Sequence, residues 1–325
     1  MLLLKLDKLD ERFKKPIITI GNFDGVHIGH QVILRKIVEK AGEIGGTSVV
    51  LTFEPHPLKV IAPEKSPKLL TTFSEKTRLI EDMGVDVIVT ARFTKEFASM
   101  HPLEFVSDIL VGKIHVNEVW VGQDYTFGKN RSGDVRHLEE LSKQFSFSVY
   151  VVGPVRLGNT VVSSSKIRNY LLSGRVKNAN ALLGRYYSIQ GIVITGSDRG
   201  QKLLGIPTAN LMSENELIPE DGVYAVFVEF DGHSFKGVAN IGCNPTFGGK
   251  KLSIEVHILA FKENIIGKTI RVKFLDRIRD EIAFSDPAML SEQIRDDIEH
   301  AEGIFESMIP LTVERKISYH IFTGA

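Results

Sequence analysis

An α/β domain with a parallel sheet, followed by a small antiparallel β-barrel with a terminal helix, is the fold that the sequence predicts. Three observations carry it. Between residues 16 and 153, short apolar runs alternate with stretches of helical spacing, as in strands joined by right-handed helical crossovers. Beyond about Gly184, strand-like runs separated by Gly and Pro follow one another without helices between them, as in small barrels. A length of 325 residues exceeds what one core usually holds and suits two domains.

In the first part, residues 16–21 (PIITIG) read as a buried parallel strand, and residues 31–42 carry Val32, Ile33, Ile37, Val38 and Ala41 at helical spacing. Strands follow at 48–53, 85–90, 118–122 and 149–153, with helices at 75–83, 102–110 and 134–144. Two further helices, 164–173 and 176–183, are expected to close this domain, with the boundary near Arg185. The second domain then spans 185–310, with strands at 188–195, 222–229, 235–241, 253–259 and 269–275. A helix over 286–305 presents Leu290, Ile294, Ile298, Ala301 and Phe305 on one face. Residues 311–325 form a tail of unassigned role; the alternation within 311–322 fits either a further strand or a loosely docked end.

Composition narrows the function. Lys+Arg and Asp+Glu are both 40, so the formal net charge is zero, and no overall field draws nucleic acid or an anionic membrane. A single cysteine, Cys243, excludes an intramolecular disulfide and a cysteine-based metal site and suits a reducing cytoplasm. No apolar run approaches a membrane span, and the apolar start of MLLLKLDKLDERFKK is too short for a signal sequence.

Residues 17–31 read IITIGNFDGVHIGHQ, a strand, a Gly-containing turn and a helix start with His27 and His30 three residues apart. Backbone N–H groups and the dipole at such a start favour phosphate. Imidazoles there can donate to charge developing on a transferring phosphoryl group, and Gly25 and Gly29 permit close approach. A lone histidine at this position is more often a plain cap, and a His-x-x-His pair with no spaced third ligand is a poor zinc site. Residues 162–168 (VSSSKIR) place Ser163, Ser164 and Ser165 at another helix start beside Lys166 and Arg168; such hydroxyls usually cap, and the two cations raise the case for an anion. Residues 53–57 (FEPHP) and 122–134 (GQDYTFGKNRSGD) are by themselves ordinary loops at strand ends.

Residues 196–210 read GSDRGQKLLGIPTAN. A glycine-rich loop exposes N–H groups to phosphate, and Pro207 stiffens it. Thr208 and Asn210 then offer oxygen donors suited to Mg²⁺ or its waters. A capped structural turn is the plainer reading, and no Walker pattern follows.

Taken together, these strings resemble the bacterial riboflavin kinase/FMN adenylyltransferase (FAD synthetase) family over about residues 15–306. The resemblance implies a Rossmann-like nucleotidyltransferase domain and a riboflavin kinase-like barrel. It implies that His27, His30 and Arg168 serve adenylyl transfer, with Gly21, Asn22, Phe23, Asp24, Gly29, Ser163, Ser164 and Ser165 around ATP. It puts Gly196, Gly205, Pro207 and Thr208 at a second ATP, Thr208 and Asn210 at Mg²⁺, and Glu255 as the base for the ribityl hydroxyl. Pro55, His56, Asp124, Phe127 and Arg279 are implied on the flavin side. The sequence departs from the family at Ser165 (usually Thr), at the longer loop with Gln201 (often Arg), and at Ala260 (often Asp). The expected reactions are phosphorylation of riboflavin to FMN and adenylylation of FMN to FAD, with small molecules as partners in the cytoplasm. Alternatives are an enzyme with only its kinase site active, or a flavin-binding module without turnover. A nucleic-acid-binding barrel is disfavoured by zero net charge and by the lack of an aromatic–basic stripe.

Overall fold

The computed structural model describes residues 1–10, 12–195, 208–246, 249–282, 286–308 and 317–323. The chain divides into two compact units. One comprises Met1–Ser163 with Arg315–Ala325, and the other comprises Ser164–Glu314.

In the first unit, β1 (Leu2–Lys5), β2 (Pro16–Ile20), β3 (Thr47–Glu54), β4 (Val87–Arg92) and β5 (Glu118–Gly122) are parallel. A two-residue pairing, β6 (Thr126–Phe127) with β7 (Gly133–Asp134), precedes β8 (Ser148–Val152), which is parallel to β5. A second short pairing joins β9 (Arg156–Leu157) to β10 (Thr160–Val161). All five residues of β2 are buried, because helices cover both faces of a parallel sheet. The helix Ile28–Ile44 packs Leu34 and Ile37, both fully buried, and ends at Gly45, whose φ of 60° supplies the left-handed cap. Residues 102–110, expected as an α-helix, form one α-turn (Pro102–Glu104) and then a π-helix (Phe105–Lys113) with Val106 and Leu110 fully buried.

The second unit begins with the helices Ser164–Leu172 and Val176–Leu183. Sequence spacing assigned both to the first domain, but their packing groups them with the barrel. Asn180 is the reason for the second helix: its Nδ2 donates to the carbonyls of Phe274 (2.8 Å) and Leu275 (3.3 Å), and its Oδ1 accepts from Tyr187 N at 2.7 Å. Both amide protons and the amide oxygen are thereby engaged while the residue is 1% exposed.

The barrel is closed and antiparallel, in the order β11-β12-β15-β14-β13-β16. Its strands are β11 (Tyr187–Ile194), β12 (Ala209–Ser213), β13 (Gly222–Phe230), β14 (His233–Thr246), β15 (Gly249–Ile258) and β16 (Thr269–Arg279). β12 had no counterpart in the sequence reading. The helix Pro287–Glu306 lays Ala301 and Phe305 on Val223, Ala225, Val238 and Leu275 of the wall.

The described part of the tail, residues 317–323, contains two short strands. β17 (Ile317–Ser318) pairs with β9, and β18 (Ile321–Thr323) pairs antiparallel with β8. It thus extends the sheet of the first unit, whose order is β1-β4-β3-β2-β5-β8-β18.

Candidate active sites

The turn after β2 carries the first site. Gly21 leads into Asn22, Phe23 and Asp24, and the helix starts at Ile28 with His27 as its cap. His27 Nδ1 accepts from His30 N at 3.3 Å, so the ring's proton resides on Nε2, a donor. The two imidazoles stack with centroids 3.7 Å apart and planes 14° apart, and Phe23 meets His30 edge-on at 5.2 Å. A Cβ on Gly29 would lie 3.1 Å from Cε1 and Nδ1 of His27, so glycine there leaves room for the ring.

The turn is held against strain. Phe23 and Val26 have φ of 51° and 36°, a region that costs a non-glycine residue about 1–3 kcal/mol. The buried Asp24 carboxylate accepts from Leu70 N at 2.8 Å and Thr71 N at 3.3 Å, and Thr71 Oγ1 accepts from Gly25 N at 3.2 Å. Asn22 meets His56 Nε2 at 3.3 Å, and His56 Nδ1 caps the helix Pro57–Ile61 through Leu58 N. Pro55 follows the end of β3. The structure therefore brings Asn22, Asp24, His27, His30 and His56 together.

Sequence reasoning missed Thr71 and Lys76. Lys76 is 6% exposed, one helical turn before the fully buried Ile80; a cation on the apolar stripe of a helix was the available signal. Burial lowers its pKa, with the carboxylates of Glu54 and Asp24 opposing.

Asp124 is exposed, next to Gly122. Phe127 is 7% exposed in the core, stacked on Tyr125 at 5.6 Å and against Phe105 at 5.7 Å. Ser164, Ser165 and Arg168 open the helix Ser164–Leu172, with Ser163 just before it.

In the barrel, Gly196, Gly205 and Pro207 lie outside the described residues; Thr208 and Asn210, at the start of β12, are half-buried. The registers build one row across five strands. Asn210 pairs with Glu255, Glu255 with Asn240, Asn240 with Val223, and Val223 with Arg279. Directly opposed residues share a face, and Ile254 and Val256 beside Glu255 point into the barrel, so this row faces outward. Ser253 Oγ donates to Glu255 Oε1 at 3.3 Å. Arg279 ends the row as a clamp: its Nε and Nη2 bind Asp297 of the helix Pro287–Glu306 at 2.7 and 2.8 Å. Ala260, the departure noted in the sequence, has φ of 54°, where Asp or Asn is better tolerated than Ala. Among the described residues no group of three or more His, Cys, Asp or Glu could hold a metal.

Residues 9–166 match the FAD synthetase family model and residues 183–305 match the riboflavin kinase model. Fold and matches define a flavin-processing transferase with two catalytic domains. A Haemophilus influenzae bifunctional riboflavin kinase/FMN adenylyltransferase is 38% identical over 291 residues, 89% of this chain and 94% of its own. Its Bacillus subtilis counterpart is 36% identical over 306 residues, 92% of this chain and 96% of its own. A solved Streptococcus pneumoniae structure described as a macrolide-efflux protein is 31% identical, with a TM-score of 0.85, and covers 93% of this chain and 99% of its own. The chain belongs to the bifunctional riboflavin kinase/FMN adenylyltransferase family. It phosphorylates riboflavin to FMN and adenylylates FMN to FAD, with ATP as the second substrate of each reaction. Among the described residues no helix is long and apolar enough to cross a membrane.

Proposed function

We propose that FAD forms at the turn of residues 21–30 and FMN forms at the outward row of the barrel. The observation that carries the first assignment is the stacked pair His27 and His30 at a helix start. There an FMN phosphate oxygen attacks the α-phosphorus of ATP, the bond to the bridging oxygen breaks, and pyrophosphate leaves. His27 Nε2–H, the His30 ring and the N-terminal N–H groups of the helix meet the charge that gathers on the phosphoryl oxygens. Gly21, Asn22 and Asp24 shape the turn around ATP, and Ser163 adds a donor as the family resemblance implies. Pro55, His56 and Asp124 stand on the flavin side. Phe127 serves that side from within the core.

In the barrel, Glu255 accepts the proton of the riboflavin 5′-hydroxyl as that oxygen attacks the γ-phosphorus and ADP departs. Asn210 and Asn240 flank Glu255 in its row. Thr208 and Asn210 offer hard oxygen donors, which fit a Mg²⁺ ion that takes its remaining ligands from phosphate and water. When bound, the ion neutralises phosphate charge; Thr208 and Asn210 would hold it beside Glu255. Arg279 acts on this site through the terminal helix it clamps. The use of ATP and the lone Cys243 support a cytoplasmic enzyme.

The test is chromatography of the products formed from riboflavin, FMN and Mg·ATP. His27→Ala is expected to make FMN without FAD. Glu255→Gln is expected to make FAD from added FMN but no FMN from riboflavin. Loss of both products in each variant would overturn the assignment.

A further inference from the structure

A buried lysine sits behind the first site with no role yet assigned. Lys76, on the helix Phe73–Glu81, is 6% exposed, and its Nζ lies 3.2 Å from Thr52 Oγ1, 3.4 Å from the backbone carbonyl of Asn22 and 5.2 Å from the centre of the Phe73 ring. Among the described residues it forms no ion pair within 4 Å. Asp24 and Glu54 are the carboxylates whose fields reach it. Burying a cation without a paired carboxylate works against stability, and an apolar side chain of similar shape would serve the packing better. A reason for keeping the ammonium is therefore to be sought in what it holds.

It holds the carbonyl of Asn22, the residue that enters the strained turn. Phe23 and Val26 lie in the left-handed region, with φ of 51° and 36°, and such conformations persist where the surroundings over-determine them. Besides Thr52 Oγ1, which donates to the Asn22 carbonyl at 3.5 Å, three sets of contacts do so from outside the turn. The Leu70 and Thr71 amides bind the Asp24 carboxylate, Thr71 Oγ1 binds Gly25 N, and Lys76 Nζ reaches Asn22 O. The first two use the segment before the helix Phe73–Glu81, and the third uses the helix itself and ties it to β3 through Thr52. Asn22 in turn meets His56, and four residues beyond Phe23 comes the His27 cap.

We propose that Lys76 is a positioning residue for adenylyl transfer: through the Asn22 carbonyl and Thr52 its ammonium fixes the turn that sets the Asn22 and His27 side chains. This rests on the reading that FAD forms at that turn. The ammonium itself touches neither reacting phosphate. It keeps the donors in register with them, and small displacements of such groups cost turnover steeply.

The test is steady-state FAD formation by the full-length Lys76→Met enzyme with FMN and Mg·ATP, alongside its FMN formation and its thermal melt. The proposal expects kcat for FAD to fall about tenfold or more with the ATP KM within about threefold. FMN formation should be unchanged, and the melt should be unshifted or raised. Wild-type FAD turnover would overturn it, and so would a lowered melt with unchanged kcat, the mark of a merely structural lysine. If Lys76→Met loses its cooperative melt, Thr52→Val decides. It removes an acceptor of the ammonium and, with it, the hydroxyl's own donation to the Asn22 carbonyl at 3.5 Å, at nearly constant volume; a two- to threefold drop in kcat at the wild-type melting temperature is expected, of the order of one weakened hydrogen bond. Wild-type kcat in Thr52→Val would then reject the proposal. His27→Ala, assayed in parallel, separates the two ideas: retained FAD formation there would sink the site, whereas its loss with normal Lys76→Met turnover would sink Lys76 alone.

Discussion

The two proposed phosphate sites have opposite constructions. In the first unit, residues 21–30 are a contiguous string, and a helix cap, a histidine stack and a glycine beside the ring form within it. In the barrel, Asn210, Asn240, Glu255 and Arg279 come from four strands and meet because the registers align them. A local site can be disabled by one side chain and leave its fold intact. A site made of register depends on whatever locks the strands and the covering helix.

Variants sharpen this contrast. The largest effects belong to the chemistry: His27→Ala should cut FAD formation about 10²–10³-fold, the usual cost of one preorganised donor. Glu255→Gln should cut FMN formation about 10²–10⁴-fold, as for loss of a general base. Product chromatography reads both, and each variant should spare the other reaction.

Next comes Asp297→Ala. The Asp297 side chain is 5% exposed and that of Arg279 is 18% exposed, and removing one partner of such a pair costs about 3–5 kcal/mol. Urea denaturation should show the barrel transition shifted, with FMN formation falling and FAD formation from added FMN retained. Equal damage to both reactions would blur the contrast. Gly29→Ala is smaller: the new Cβ, 3.1 Å from the His27 ring, should push it aside and slow FAD formation by up to about tenfold, short of the roughly 10²-fold that a full 1 Å displacement can cost.

Smallest is Tyr224→Phe. Tyr224 is fully buried and its hydroxyl donates to the Glu220 carbonyl, a bond worth about 1 kcal/mol net. Burial pushes this phenol up from 10.0 to about 12, with Arg277 partly opposing. The folded state thus holds its proton more tightly than the unfolded chain. That part of the stability is complete below pH 10 and is lost as pH rises to about 12. Melting temperatures across this range should fall less steeply in the phenylalanine variant.

Legibility followed the same division. The turn of residues 21–30 was readable because capping and glycine placement are local rules, and the structure puts His27 and His30 where the string implied. Asp24 was anticipated near the pocket, but its partners, the amides of Leu70 and Thr71, lie 46 and 47 residues away and left no mark in the motif. Lys76 was hidden for a similar reason: its helix was expected, its buried face was not. In the barrel, β12 is five residues long with one buried side chain, too little alternation to stand out. Asn180 escaped notice because a polar residue in a short helix reads as solvated until the barrel wall is seen behind it. Arg279 was singled out from its motif, and only the fold shows its grip on Asp297.

Under the proposed assignment each site works without the other, so FMN released by one molecule can serve another. The most direct measurement mixes His27→Ala and Glu255→Gln enzymes and supplies riboflavin with Mg·ATP. Neither variant alone should make FAD, and the mixture should make it after a lag in which FMN accumulates. A mixture that makes FMN but no FAD, while Glu255→Gln still converts added FMN, would contradict that claim.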